Sequence, residues 1–239
     1  MSVLPPSSSE AGASAPRPRH RVKRGSASAQ LHDSLRERII TLEFKPGQYL
    51  SRSEIAADYG VSQTPVRDAL IKLEEEGLVV TFPQSKTEVS RIDVDHAQET
   101  HFLRLSLELE ISRRLAQAAD PATTAKARSV LAMQEAVCTE VDLDAFSRLD
   151  REYHFALYEA AGVENLYAVI DARSGHIDRL RKLNLPDPGK SNSILDCHRR
   201  ILDAIDAGDV DTTEAVVREH LSGTLARVDD IRERHKGYF

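Results

Sequence analysis

The chain contains little cysteine, few aromatic residues and no tryptophan. Of its 239 residues, two are cysteine and 5% are aromatic. Cys138 and Cys197 cannot build a disulfide framework, and neither belongs to a CxxC pair of the kind found in zinc ribbons and redox motifs. We expect both to be small buried apolar side chains. These absences exclude a small domain stapled by disulfides.

Long apolar runs are also absent. No stretch of about 18 apolar residues occurs, and the first 30 positions lack the apolar segment of a signal peptide. We therefore expect a cytoplasmic protein that is neither inserted in a membrane nor secreted. Hydrophobic residues make up 41% of the chain and charged residues 29%, which is enough apolar material for a core. The length suits one large domain or two modest ones.

The chain also lacks an overall positive charge. The net charge is −6, divided as +4 over residues 1–28, −3 over 29–93 and −7 over 94–239. A nucleic-acid partner must therefore be argued from local motifs. Residues 1–28 are rich in Ser, Ala and Pro and carry a basic cluster, which predicts a disordered basic tail. Such a tail either adds nonspecific phosphate contacts or only solubilises the chain.

Residues 29–92 show the pattern of a small domain with three helices and a hairpin. Apolar residues recur at helical spacing, and Gly or Pro turns separate the periodic segments. The predicted elements are a helix over 30–42, a short helix that ends at Gly60, a helix that begins at Ser62, and β-rich runs over 78–82 and 87–90. This order predicts a winged helix-turn-helix domain.

The start of the third predicted helix carries short or planar hydrogen-bonding side chains. In a helix-turn-helix domain this end reaches base edges, while nearby N–H groups and cations hold phosphates. Gln63 suits adenine, and Arg67 suits guanine or a phosphate. The predicted DNA-binding residues are Arg52, Ser62, Gln63, Thr64, Arg67 and Lys86. The alternative is a capped surface helix in a protein-interaction module.

From residue 95 onward the pattern is helical, with no strand-like alternation. Turn residues interrupt it five times and divide it into six predicted helices. Their spans are 95–118, 122–139, 142–161, 163–184, 192–207 and 209–235. Short loops between such helices favour an antiparallel all-helical bundle. The chain is thus expected to be mainly α, with an N-terminal winged helix-turn-helix and a C-terminal bundle over 95–235.

Three of the predicted bundle helices carry polar residues on their apolar faces. Asp150 and His154 lie one turn apart on one such stripe, and His198 and His220 each lie at the centre of another. A buried carboxylate needs a partner, and three imidazoles with one carboxylate favour a metal site over separate core histidines. The set suits zinc, and also nickel, cobalt or manganese.

Motifs in both halves resemble one family. The run Ser62-Gln63-Thr64-Pro65-Val66-Arg67-Asp68-Ala69-Leu70, followed by Glu76-Gly77-Leu78-Val79, resembles the GntR family of bacterial transcription regulators. The second half resembles the FCD type of ligand-sensing domain, through Asp150-x-x-Tyr153-His154, Cys197-His198-x-x-Ile201-Leu202 and Glu219-His220-Leu221. The resemblance implies that Asp150, His154, His198 and His220 bind a divalent metal, beside which a small organic acid docks.

Arg104 is a candidate for binding the effector of such a domain. It shares a helical stripe with Leu107 and Ile111, and an inward arginine near a metal can bind a carboxylate with two hydrogen bonds. The family's Arg-x-x-Leu-Glu pattern, present here from Arg104 to Glu108, supports that role. The alternative is an internal ion pair between Arg104 and Glu108.

We therefore predict a homodimeric transcription regulator, more a repressor than an activator, that binds a pseudo-palindromic operator in double-stranded DNA. A small carboxylate beside the metal is expected to shift the relative placement of the two winged helices. One alternative is a helical metal-dependent hydrolase, since an Asp/His₃ site with open positions can activate water. Another is a regulator whose metal is purely structural and which has no effector.

Overall fold

The computed structural model describes residues 27–82, 86–139 and 142–239. Most of the predicted basic tail lies outside these residues. So do residues 83–85, which belong to the turn of the predicted hairpin. None of the helices in the described part of the chain combines the length and apolar character that crossing a bilayer requires.

The first unit, residues 27–92, is called the head below. It contains the helices α1 (Ala27–Ile40), α2 (Arg52–Tyr59) and α3 (Gln63–Glu75) and the strands β1 (Tyr49–Leu50), β2 (Val79–Thr81) and β3 (Thr87–Val89). The strands form an antiparallel sheet in the order β1-β3-β2, with Leu50 opposite Thr87 and Thr81 on the other side of Thr87. The predicted winged helix-turn-helix is confirmed. Strand β1 was not among the predicted elements, because two residues are too few to show an alternating pattern.

Local chemistry explains where the short helix α2 begins and ends. The Ser51 hydroxyl caps its N-terminus by accepting a hydrogen bond from the Glu54 N–H at 3.4 Å. Gly60 ends it in the left-handed region, with φ of 67°. The resulting tight turn places α3 across α2, and their apolar faces bury a core with α1 and the sheet, which includes Leu35, Ile39, Val66, Leu73 and Leu78.

The second unit, residues 94–239, is called the bundle below. Its helices are α4 (Val94–Ala118), α5 (Pro121–Thr139), α6 (Leu143–Ala160), α7 (Glu164–Arg173), α8 (Gly175–Asn184), α9 (Lys190–Asp206), α10 (Val210–Ser222) and α11 (Val228–Arg234). The apolar faces of α4, α5, α6, α9 and α10 share one core. The predicted all-helical bundle is confirmed.

Two of the six predicted bundle helices are interrupted. The span 163–184 is two helices that meet at Ser174, whose hydroxyl bonds back to the Asp171 carbonyl at 3.0 Å and so competes with helical hydrogen bonding. The span 209–235 is α10, a 3₁₀ turn over Leu225–Arg227, and α11. The break follows Gly223, a residue of low helix propensity.

Helix α8 joins the bundle to the head. A Cβ added at Gly175 would lie 2.4 Å from a Leu78 methyl carbon, so only glycine allows the two units to approach this closely. Beside it, the Arg179 guanidinium donates a hydrogen bond to the Ser90 carbonyl at 2.6 Å. His176 contacts the Gly77 carbonyl at 3.2 Å through Nε2. One face of α8 thus packs against the head.

Candidate metal centre and DNA-reading surface

The four residues predicted to bind a metal meet inside the bundle. Helix α6 supplies Asp150 and His154 one turn apart, α9 supplies His198 and α10 supplies His220. One oxygen or nitrogen from each residue lies within 4.8 Å of the others. The first three residues are buried and His220 is partly exposed. The four side chains therefore face one point.

Distances within this cluster match those expected around a single ion. His220 Nε2 lies 3.1 Å from His154 Nε2 and 3.3 Å from His198 Nε2. Two nitrogens bound to one zinc ion at about 2.1 Å lie roughly 3.0 to 3.4 Å apart. Asp150 Oδ1 is 3.5 Å from His198 Nε2. The spacing therefore fits a divalent cation between the four groups.

Outer contacts orient two of the imidazole rings. His154 Nδ1 is 2.8 Å from Glu108 Oε2, and His198 Nδ1 is 2.9 Å from Gln134 Oε1. The Gln134 oxygen is an acceptor, so His198 carries its proton on Nδ1 and directs the lone pair of Nε2 inward, while the Glu108 carboxylate lies beside Nδ1 of His154. Tyr153 stacks on His198 with ring centroids 3.7 Å apart and fixes its plane.

Burial favours the neutral form of two of these imidazoles. Burial, with positive charge nearby, lowers the pKa of His198 to about 3. Burial also holds the pKa of His220 well below its ordinary value. Unprotonated nitrogens that face one another without a shared hydrogen repel each other, and a cation between them removes that repulsion.

Asp150 supplies the one carboxylate of the cluster. Burial acts to raise its pKa, but the Arg181 guanidinium beside it holds the pKa well below the usual range. Arg181 donates a hydrogen bond to Oδ2, whereas Oδ1 is buried without a hydrogen-bond partner among the described residues. An orphaned carboxylate oxygen aimed at the imidazole nitrogens is the donor that a divalent cation requires.

Arg104 lies next to this cluster and is paired with Glu108. The guanidinium Nε donates to Glu108 Oε1 at 2.6 Å, so the internal ion pair weighed as an alternative is present. Burial would raise the pKa of Glu108, but Arg104 lowers it to about 2. Arg104 also lines two small cavities, one beside His220 and one beside His154. The ion pair and a ligand contact are therefore compatible.

A cleft of about 620 Å³ opens to solvent between the head and the bundle. Asp150 and Arg181 line it from the bundle, and Ile40 at the end of α1 and the following Thr41 line it from the head. Lys190 lines the same cleft, and its ammonium has no hydrogen-bond or ion-pair partner in the ranges that the structure describes. Burial lowers the pKa of Lys190. The metal cluster thus adjoins a cleft lined by four cationic side chains, Arg151, Arg181, Lys182 and Lys190, and by four carboxylates, Glu37, Asp144, Asp150 and Asp178.

Several residues of this site were not predicted from the sequence. Gln134 lies one turn after the buried Val130 on α5, so the helical spacing alone could have placed it on the buried face. Arg181 follows Asp178 by three residues on α8, a common surface pattern that does not reveal a buried role. No pattern marks Lys190.

The predicted DNA-reading residues form an exposed surface on the head. Ser62, Gln63, Thr64 and Arg67 are all exposed at the N-terminal end of α3, and Arg52 is exposed at the start of α2. The Ser62 hydroxyl makes no capping bond, so it is available to a ligand. Neither Arg52 nor Arg67 has an ion-pair partner within 27–82, 86–139 or 142–239.

Lys86 directly precedes β3, in the hairpin of β2 and β3 that forms the wing. Its ammonium sits 3.4 Å from the centroid of the Tyr49 ring, a cation–π contact that holds the exposed side chain beside the sheet. Lys86 is therefore placed on the wing, apart from the group at the start of α3.

Both units match known families. Residues 27–89 match the family described as bacterial regulatory proteins, gntR family, and residues 99–223 match the FCD domain. The chain belongs to the GntR family. The FCD match covers the helices that carry all four residues of the candidate metal centre.

Relatives of this GntR regulator support the assignment. An uncharacterized HTH-type transcriptional regulator in an unstable DNA locus of Streptomyces ambofaciens is 37% identical over 83% of each chain. The HTH-type transcriptional repressor RspR of Escherichia coli is 28% identical over 88% of this chain and 92% of its own length. The chain is thus a DNA-binding transcriptional regulator and not an enzyme, which sets aside the hydrolase alternative.

Solved structures share the fold. McbR/YncC of E. coli has a TM-score of 0.73 at 19% identity and covers 88% of this chain and 99% of its own. A GntR transcriptional regulator from Rhodococcus sp. RHA1 has a TM-score of 0.68 at 22% identity, with 85% and 98% covered. The arrangement of head and bundle is therefore shared with other regulators of known structure.

Proposed function

We propose that this GntR regulator is a repressor whose operator affinity is controlled by a small organic acid bound beside a divalent metal in the bundle. The metal is held by Asp150, His154, His198 and His220. Zinc is the first candidate, with nickel, cobalt and manganese as alternatives. The repressor role rests on the name of the E. coli relative. As a regulator of bacterial DNA, the protein acts in the cytoplasm.

The observation that carries this proposal is the convergence of three imidazole nitrogens on a buried carboxylate oxygen that has no hydrogen-bond partner among the described residues. An apolar or fully hydrogen-bonded core would not leave a carboxylate oxygen unpaired beside three imidazole nitrogens. A cation held here would have four protein ligands, and a carboxylate oxygen would add to it by expanding the coordination number beyond four. The adjoining cleft gives an acid access to Asp150.

The small cavity beside His220 favours an anionic effector, because Arg104, Arg181 and Lys190 line it and no carboxylate does. Arg104 lies in the cavities next to His154 and His220, while Arg181 and Lys190 line the open cleft. Lys190 is half-buried and unpaired among the described residues, so a carboxylate there compensates a charge that the protein leaves alone. We propose that Arg104 contacts the effector, and that Arg181 and Lys190 contact it as well.

On the head, we propose that the six predicted residues Arg52, Ser62, Gln63, Thr64, Arg67 and Lys86 contact the operator. The exposed start of α3 supplies base contacts, and the free guanidiniums and Lys86 supply phosphate contacts. A homodimer would present two such surfaces to a pseudo-palindromic site in double-stranded DNA.

Exposed apolar side chains on the bundle support the homodimer. Phe102 on α4 is 73% exposed, and Leu166 and Val169 on α7 are 40% and 52% exposed. Helices α4 and α7 contact each other, so these exposed groups lie on neighbouring helices of the bundle. Large exposed apolar groups of this kind mark protein interfaces, and a second copy of the chain is the partner we propose.

The test measures the thermal midpoint of zinc-loaded and chelated protein across a panel of small mono-, di- and tricarboxylic acids. Ligands that bind the native state raise the midpoint by mass action. We expect at least one acid to raise it only when zinc is bound. If zinc raises the midpoint but no acid does, the metal is structural and the effector is disproved. If zinc does not bind, the metal centre is disproved.

A further inference from the structure

Helix α8 lies between the metal centre and the head and presents charged groups to both. Arg181 contacts Asp150 of the candidate metal centre, while His176 and Arg179, less than two turns earlier, contact the head. Between them, Asp178 is largely buried and lines the cleft beside Arg181. A short helix with this division of contacts is placed to link the two sites.

Polar contacts are continuous from the metal centre along α8. Arg181 is shared between two carboxylates, since it donates to Asp150 Oδ2 and its Nη1 lies 3.5 Å from Asp178 Oδ1. The other oxygen of Asp178 accepts a hydrogen bond from the Ser174 hydroxyl at 2.5 Å. The charge on a candidate metal ligand is thus connected to the break between α7 and α8.

The same contacts continue into the head through Arg36 of α1. Arg36 Nη2 donates to the Ser174 hydroxyl at 3.2 Å and to the Asp171 carbonyl. Its Nε donates to Glu76 Oε2 at 2.9 Å. The side chains of Arg36 and Glu76 are only 12% and 14% exposed, so solvent screens these interactions weakly.

Glu76 is the residue that ends α3, the helix that carries the DNA-reading residues. It is the C-cap of α3 and also bonds His32 of α1 at 2.5 Å. Arg36 therefore has two sets of partners, Glu76 in the head and the Asp171–Ser174 corner in the bundle. A cation held between two sets of anionic partners can shift from one to the other.

We propose that Arg181, Asp178, Ser174, Arg36 and Glu76 form a polar relay that couples occupancy of the metal centre to the position of α3. A cation at Asp150 weakens the hold of that carboxylate on Arg181, which then pairs more closely with Asp178. Asp178 in turn attracts Arg36 less strongly. Arg36 then interacts more with Glu76 and less with the Asp171–Ser174 corner. A carboxylate effector that binds Arg181 in the cleft also changes how Arg36 is divided between these two sets of partners. This inference rests on the proposed metal centre.

The experiment measures how zinc changes the affinity for DNA. A duplex is first selected from a random pool with the purified full-length protein, and its Kd is measured with zinc-loaded and with chelated protein. For the wild-type chain we expect zinc to change the Kd by about fivefold or more, in either direction, as is usual for allosteric coupling. For Arg36→Met we expect a change of less than about twofold, with one zinc still bound per chain.

Two further variants make the result specific. Glu76→Gln keeps the size and a hydrogen-bonding oxygen but removes the charge, and it should also reduce the effect of zinc. Arg91→Met removes another arginine that bridges the two units, through its Nη1 hydrogen bond of 2.6 Å to the Gly237 carbonyl, but takes part in neither the metal centre nor the relay. This control should keep the wild-type response.

The outcomes separate the relay from the metal centre. If wild-type protein binds zinc and its Kd responds, but Arg36→Met and Glu76→Gln respond equally, the relay is overturned while the metal centre stands. Zinc binding without any change of the wild-type Kd also overturns the relay. If the wild-type chain binds no zinc, elemental analysis shows it directly, and the metal centre and the relay fail together.

Discussion

The cores of the two units differ in what they bury. In the described part of the head, the core is apolar and Thr87 is the one buried polar side chain. The core of the bundle encloses Arg104, Glu108, Asp150 and His198 among its apolar residues. Burying charged groups costs stability unless each is paired, whereas apolar burial is favourable at every position.

This difference indicates different tasks. The head needs only to hold α3 and the wing in fixed positions, and apolar packing achieves that. The bundle keeps three imidazoles and a carboxylate facing one point and a lysine without an ion-pair partner in the described chain, an arrangement that bound charged groups would stabilise. Loss of core volume in the head and loss of a ligand in the bundle should therefore have separable effects.

The largest expected effect comes from the head. Leu73→Ala removes a fully buried side chain of α3 and should cost about 2 to 5 kcal/mol of unfolding free energy, measured by urea denaturation. Zinc content per folded chain should stay unchanged, because no residue of the metal cluster contacts this core. A loss below about 1 kcal/mol would show that the site collapses around the smaller side chain.

The second effect belongs to the bundle. His198→Ala removes one of four proposed ligands and should lower zinc affinity at least about 100-fold, so that elemental analysis finds well below one zinc per chain. His235→Ala is the matched control, since this imidazole stacks on Tyr238 outside the cluster. Full zinc retention in His198→Ala would mean that the ligand set is wrong.

A third prediction concerns the exposed surface of the head. Arg67→Ala should weaken binding to the selected duplex about tenfold or more without affecting folding, because the side chain is exposed and unpaired in the described chain. Lys72→Ala removes a cation from the other end of the same helix and should change the affinity less. Equal losses in the two variants would argue for a general charge effect.

The fourth prediction concerns the junction and depends on pH. Burial, with Arg179 nearby, lowers the pKa of His176 to about 3, so the folded protein keeps this ring neutral. The unfolded chain binds a proton near pH 6.5, so this contribution is complete above that pH and declines as pH falls toward 3. The slope is at most about 1.4 kcal/mol per pH unit. His176→Gln should flatten the stability profile; parallel profiles would contradict the assignment.

Much of the architecture follows from apolar periodicity, and so does the cluster. Asp150 and His154 share a face because they are four residues apart, and His198 and His220 lie at the centres of apolar stripes. These are local facts that a sequence displays. The GntR resemblance adds the expectation that the stripes meet at one metal.

Other features depend on contacts between distant segments. The break at Ser174 arises where α8 meets the head, and Arg181 acquires its role only when α6 brings Asp150 beside it. Lys190 resembles an ordinary helix-start lysine until the cleft is formed. Sequence spacing contains no information on such long-range approaches, so these residues were not foreseen.

The absence of a side chain at Gly175 also limits how this protein can be recombined with its relatives. A chimera that joins this bundle to a head from another GntR regulator will dock correctly only if the incoming residue at the position of Leu78 fits against bare backbone. The junction also requires a free carbonyl for His176 and another for Arg179. Heads are therefore interchangeable only together with the α8 surface that receives them, and a graft should include both.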